Sequence, residues 1–97
     1  MDLSGKSAIV LGGTSGIGLS AVQQLERAGA TVVAGSRSST HIEQAASTTG
    51  ASVTYREIDV LDRTALSALF ERSAPFDILV NCARVGNAPL VHFLKWI

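Results

Sequence analysis

The chain has 97 residues, enough for one modest domain that buries somewhat under roughly 70% of the surface its unfolded form exposes. Hydrophobic residues make up 46% and charged residues 16%, a balance that excludes a disordered segment and requires a packed core. Lys and Arg total 8, Asp and Glu total 8, and no basic cluster occurs, which argues against nucleic acid or an anionic membrane as the main partner.

Apolar runs alternate with longer amphipathic stretches. Ser7–Leu11 (SAIVL) predicts a first strand, apolar on both faces as parallel strands are. Over residues 17–28, Ile17, Ala21, Leu25 and Ala28 fall on one helical face with Val22 beside them. Gln23, Gln24, Glu26 and Arg27 take the other face, and Gly29 supplies a C-terminal stop. Residues 31–35 (TVVAG) predict a second strand. Ser38, Ser39 and Thr40 offer N-caps for a helix through Ile42, Ala45 and Ala46, ending near Gly50.

Residues 53–58 (VTYREI) predict a third strand whose alternation suits a position near the sheet edge. Asp62 caps a helix carrying Leu66, Leu69 and Phe70 that ends before Pro75, and residues 77–82 (DILVNC) predict a fourth strand. Strands alternating with helices at this spacing imply βαβ crossovers and a parallel sheet. Residues 84–97, with Gly86, Asn87 and Pro89 before an apolar end at Trp96 and Ile97, read as an irregular or truncated tail.

The single cysteine, Cys82, excludes an internal disulfide and a multi-cysteine metal site, and suits a reducing compartment. The start, Met1-Asp2-Leu3-Ser4-Gly5-Lys6, is not strongly basic, so no secretory signal is expected. No apolar segment approaches the length of about 20 residues that crosses a bilayer. The expected location is cytoplasmic.

The most informative stretch is Leu11-Gly12-Gly13-Thr14-Ser15-Gly16-Ile17-Gly18, at the predicted strand-to-helix turn. Glycines spaced in this way let backbone approach a pyrophosphate, and the N–H groups of the following helical turn face the anion. A tight turn without a ligand is the bland alternative; the flanking strand and helix favour phosphate binding. A P-loop is the obvious rival, since Gly13 to Gly18 also fits its spacing. It fails at Leu19, which stands where the phosphate-binding lysine must be.

With that turn set on the alternating pattern, the chain resembles the short-chain dehydrogenase/reductase family from Leu3 to about Leu90. The glycine turn matches the family's Thr-Gly-x-x-x-Gly-Ile-Gly, with Leu11 in place of Thr. Asp59-Val60 looks like the family's acidic pair beside the adenine ring. Asn81-Cys82-Ala83-Arg84 occupies the slot of its Asn-Asn-Ala-Gly, and Pro89-Leu90 matches a common Pro-Leu just beyond. The resemblance implies a Rossmann-type, doubly wound α/β fold, here incomplete, with about four strands in the order 3-2-1-4 and helices on both faces. It also implies a dinucleotide site drawn from Gly12, Thr14, Ser15, Gly16, Ile17, Gly18, Ser36, Arg37, Asp59, Val60, Asn81 and Ala83.

Arg37 discriminates between cofactors. An NAD-type site places a carboxylate at the end of the second strand, where it accepts from the ribose 2′-OH. Here that position holds Ser36, followed by Arg37. A hydroxyl and a guanidinium suit a 2′-phosphate through charge-assisted bonds, so NADP(H) is expected over NAD(H). The alternative for Arg37 is a solvated loop charge.

The departures from the family pattern also carry weight. The family's chemistry uses a Tyr-x-x-x-Lys pair with a Ser upstream, in the later part of a domain more than twice this long. This sequence has one tyrosine, Tyr55, followed four residues later by Asp59 rather than lysine. The chain alone is therefore expected to transfer hydride poorly or not at all. Arg84 stands for a glycine where backbone runs close to the cofactor, and Leu11 removes a hydroxyl.

The remaining polar residues have plainer readings. Asp59 suits a strand end nearly as well as an adenine contact, and Asn81 suits a tie between adjacent strands. Cys82 reads as an inert core thiol. His41 and His92 have no second ligand at metal-site spacing and read as surface or packing residues.

Three functions fit. The first is an NADP(H)-dependent oxidoreductase acting on a carbonyl or alcohol. The second is a non-catalytic dinucleotide-binding fragment or interaction module. The third, an adenosyl-methionine methyltransferase, is disfavoured by Ser36-Arg37, because a ribose diol there wants a carboxylate. The order 3-2-1-4 leaves the fourth strand, with Ile78, Leu79 and Val80, as a bare edge; weak stability and self-association through it are expected.

Overall fold

The computed structural model describes residues 1–14 and 16–83. Seven elements follow one another in strict alternation: β1 (Ser7–Leu11), α1 (Gly16–Arg27), β2 (Thr31–Ser36), α2 (Ser39–Ala46), β3 (Val53–Glu57), α3 (Arg63–Ser73) and β4 (Ile78–Asn81). The sheet order is β3-β2-β1-β4, and every pairing is parallel. The chain first winds outward from β1 through β2 to β3, then crosses back over β1 to lay down β4. The reversal between β2 and β4, on either side of β1, is the topological switch of a doubly wound sheet.

The core follows from the period of two along each strand. On β1, Ile9 and Leu11 point to one face, where they join Ile58, Val60, Leu66 and Leu69 beneath α3. Val10 points to the other and meets Val22 of α1 with Val32 and Ala34 of β2. Central β1 is buried from Ala8 to Leu11, as its uninterrupted apolar run predicts. β3, with neighbours on one side among the described residues, keeps an exposed Thr54, Arg56 and Glu57. Among the described residues no helix is long and apolar enough to cross a membrane.

Helix ends are set by local chemistry. Ser38 caps α2 by accepting from His41 N–H at 3.2 Å, and Asp62 caps α3 by accepting from Ala65 N–H at 3.0 Å. α2 stops at Ala46, short of the expected Gly50. There the hydroxyls of Ser47, Thr48 and Thr49 bond back to the carbonyls of Gln44 and Ala45, satisfying the helix end with side chains instead of another turn. Glu26, on the polar side of α1, accepts from Gly50 N–H at 2.8 Å and Ser52 hydroxyl at 3.0 Å, fixing the loop that leads into β3.

Two expectations need correction. Ile17 does not lie on the buried face of α1: it is 81% exposed, and Gly18 and Val22 are the buried residues of that helix. The inward face is set by how closely the helix start approaches the preceding turn, which only a glycine allows. Cys82 is not a core thiol but a half-buried one. The expected tail over 84–97 lies outside the described residues, as do Arg84, Pro89, Leu90 and His92.

Candidate functional site

All the strands point their carboxyl ends the same way, and a cleft of about 850 Å³ opens there across the switch point. Its floor is the turn after β1. Gly12 and Gly13 both donate their N–H groups to the Gly35 carbonyl, at 2.8 and 3.2 Å, which ties the turn to β2. Gly12 has φ of 77°, and a side chain there would bring its Cβ within 2.8 Å of the Cys82 carbonyl and Ala83 nitrogen at the end of β4. A Cβ on Gly18 would collide with the Gly12 carbonyl oxygen. The first turn of α1 therefore rests against the strand ends with no side chain between them.

This close approach has an electrostatic consequence. The first N–H groups of α1 have no partner within the helix, and the first turn carries no acidic residue to neutralise the positive end of its dipole. Further donors surround the same cleft: Ser36, Arg37, Ser38 and His41 on the β2–α2 side, and Asn81 at the end of β4. The Asn81 side-chain nitrogen is buried and has no partner among the described residues, while its oxygen accepts from Ala83 N–H at 3.3 Å. No Asp or Glu is among the described residues that line the cleft. Ile17, Ile58 and Val60 supply apolar wall.

Of the residues expected at the site, Gly12, Thr14, Gly16, Ile17, Gly18, Ser36, Arg37, Val60, Asn81 and Ala83 come together here. Ser15 lies outside the described residues. Asp59 is not brought to the cleft: it is exposed, and its carboxylate accepts from Leu61 N–H at 3.0 Å, closing a local turn. Among the described residues the Asn81 side chain bonds within its own strand end rather than across to a neighbouring strand; its backbone makes the register with Leu11.

Sequence reasoning missed Gly35, Ser38, His41, Ile58 and Cys82 as lining residues. His41 had a legible signal: the N-cap Ser38 accepts its N–H, which places it on the first turn of α2, four residues after Arg37. Ile58 sits two residues before Val60, and its side chain reaches the space above Gly35, where a Cβ would meet it at 2.7 Å. Tyr55 stands elsewhere, with its hydroxyl 2.9 Å from that of Thr49.

The residues present fit an elongated, anionic, ring-bearing ligand. Bare backbone and a helix start meet phosphate, apolar side chains flank a planar ring, and the absence of carboxylates in the lining described admits added negative charge. Among the described residues no group of His, Cys, Asp and Glu could hold a metal ion.

Comparison with known proteins agrees with this geometry. The family model described as short chain dehydrogenase matches residues 6–95. The chain is 40% identical over 90 residues to the glycine betaine reductase ATRR of Emericella nidulans, covering 86% of this chain and 7% of that protein. It is 35% identical over 102 residues to gluconate 5-dehydrogenase of Gluconobacter oxydans, covering 97% of this chain and 40% of that one. A solved structure described as a short chain dehydrogenase/reductase family protein superposes with a TM-score of 0.81 at 33% identity, covering 98% of this chain and 43% of its own. The chain thus spans less than half the length of each of these relatives. A parallel sheet wound 3-2-1-4, a glycine turn against its strand ends and a match over nearly the whole sequence place this chain in the short-chain dehydrogenase/reductase family.

Proposed function

We propose that this chain binds the adenosine and pyrophosphate part of NADP(H), in preference to NAD(H), for an oxidoreductase acting on a carbonyl or alcohol. The observation that carries the reading is the charge of the cleft. Ser36 and Arg37 follow one another at the end of β2, His41 lines the same side, and no carboxylate is among the described lining residues. A ribose diol would find no acceptor pair there, whereas a 2′-phosphate meets a hydroxyl, a guanidinium and an imidazole.

The nicotinamide, when bound, is the group that gives or takes a hydride. The chain's own residues hold and orient. The turn from Gly12 to Gly18 and the start of α1 offer N–H groups to the pyrophosphate. Ile58 and Val60 offer apolar surface to the adenine, and Arg37 neutralises the added phosphate. Asn81 presents a side-chain nitrogen that has no partner among the described residues to an acceptor on the ligand. Proton exchange with a substrate is not a role for Tyr55, whose hydroxyl is engaged with Thr49 and which has no lysine four positions on. Location in the cytoplasm suits the free thiol of Cys82.

Calorimetric titration of the chain with NADPH and with NADH tests the reading. NADPH is expected to bind roughly ten- to hundredfold more tightly, the worth of one charge-assisted contact to phosphate. Arg37→Asp should abolish or reverse that preference. Equal affinity for the two cofactors, or a preference that survives Arg37→Asp, would refute it.

A further inference from the structure

We infer that Thr14 is a positioning residue for cofactor choice: it holds the Ser36 hydroxyl as a donor to phosphate and denies it to a ribose hydroxyl as an acceptor. This rests on the NADP(H) reading above and deepens it. A serine hydroxyl has one proton and two lone pairs. At Ser36 the Thr14 hydroxyl donates to Oγ at 2.9 Å, and the Ser38 backbone N–H donates to the same oxygen at 3.2 Å. Both lone pairs are thereby occupied. No bond among the described residues uses the Ser36 proton, and the residue lines the cleft beside Arg37.

What Ser36 presents to a ligand is therefore an O–H with little accepting capacity. A phosphate, which only accepts at its charged oxygens, is matched by that group. A ribose 2′-OH gains least from it, because its own proton finds no acceptor. Thr14 is 7% exposed, and the glycine turn fixes its backbone, so its hydroxyl is held in this role. The turn that receives the pyrophosphate and the residue that reads the 2′ position are thus joined by one hydrogen bond.

The test measures dissociation constants for NADPH and NADH with the chain and with Thr14→Val, Thr14→Ser, Ser36→Ala and the Thr14→Val/Ser36→Ala double variant. Removing the Thr14 hydroxyl frees a lone pair on Ser36, so the NADPH-over-NADH ratio should fall about tenfold. Thr14→Ser, which keeps the donor, should restore it. Ser36→Ala should lower the ratio as well, and the double variant should fall no further than Ser36→Ala alone, as expected of two residues acting through one atom. Should Thr14→Val fail to fold, Thr14→Ala asks the same question without added bulk.

Equal weakening of both cofactors by Thr14→Val would make Thr14 a structural residue only and overturn the inference, as would an additive double variant. Absence of any NADPH preference in the unaltered chain would instead overturn the reading beneath it.

Discussion

Substituting Gly18 by alanine sets two physical effects against each other, and the sign of the result decides whether the close approach at the turn is real. Gly18 lies in the first turn of α1 and is buried. Helix propensity alone predicts a gain from Gly→Ala, about 1 kcal/mol. Against it stands the backbone: a Cβ at this position collides with the Gly12 carbonyl oxygen and comes within 2.8 Å of the Gly12 carbonyl carbon and 3.2 Å of the Gly13 Cα. None of these is a side-chain end that could swing away, so the helix start must lift off the turn. Overpacking of this kind costs roughly 1–3 kcal/mol, and backbone on backbone belongs at the upper end. The net expectation is a loss of about 2 kcal/mol, or some 8–16 °C in Tm for a chain of this size. Urea and thermal unfolding followed by circular dichroism give the number, with NADPH titration alongside, because lifting α1 also withdraws its N–H groups from the pyrophosphate. A Gly18→Ala chain more stable than the parent, with unchanged NADPH affinity, would refute the geometry.

Other outcomes follow from separate parts of the structure. Asp62→Ala removes the cap on α3 and should cost about 1 kcal/mol in urea unfolding while leaving NADPH affinity intact, since Asp62 is outside the cleft. His41→Gln keeps a hydrogen-bonding side chain but removes the imidazole; NADPH binding should weaken severalfold with NADH binding little changed, read by the same titration. β4 has a neighbour only in β1 among the described residues, and Ile78, Leu79 and Val80 are half-buried. Sedimentation equilibrium should therefore show mass rising with concentration, and a constant monomer mass would count against pairing at that edge. The Asp2 carboxylate is held below its ordinary range by the hydroxyl and backbone N–H of Ser4. That contact is present above the unfolded aspartate pKa and is lost as pH falls through the lowered one; an NMR titration of Asp2 should show the depressed midpoint.

Much of this fold was legible because its signals are local. β1 begins and ends as the apolar run does, bounded by Lys6 and Gly12, and the caps at Ser38 and Asp62 follow from side chains that accept backbone N–H groups. The strand order came from the family pattern, with β3 at the edge consistent with its polar alternation. What sequence could not show were consequences of tertiary approach. Periodicity assigns Ile17 and Cys82 to a core; Cys82 instead lines the cleft, and Ile17, which the family pattern had already put at the site, is exposed there rather than packed under α1. Asp59 looked like a ligand contact, but it lies outside the cleft lining described and its carboxylate turns back to accept from Leu61 N–H two residues on. The Thr14–Ser36 bond spans 22 residues of sequence and has no local signature at all.

A crystal structure of the chain with NADPH would show directly what the glycine turn and Arg37 hold. The pyrophosphate should lie against the turn from Gly12 to Gly18 at the start of α1, with the 2′-phosphate between Arg37 and the Ser36 hydroxyl. A cofactor bound elsewhere, or density that leaves this turn and Arg37 without contact to phosphate, would contradict it.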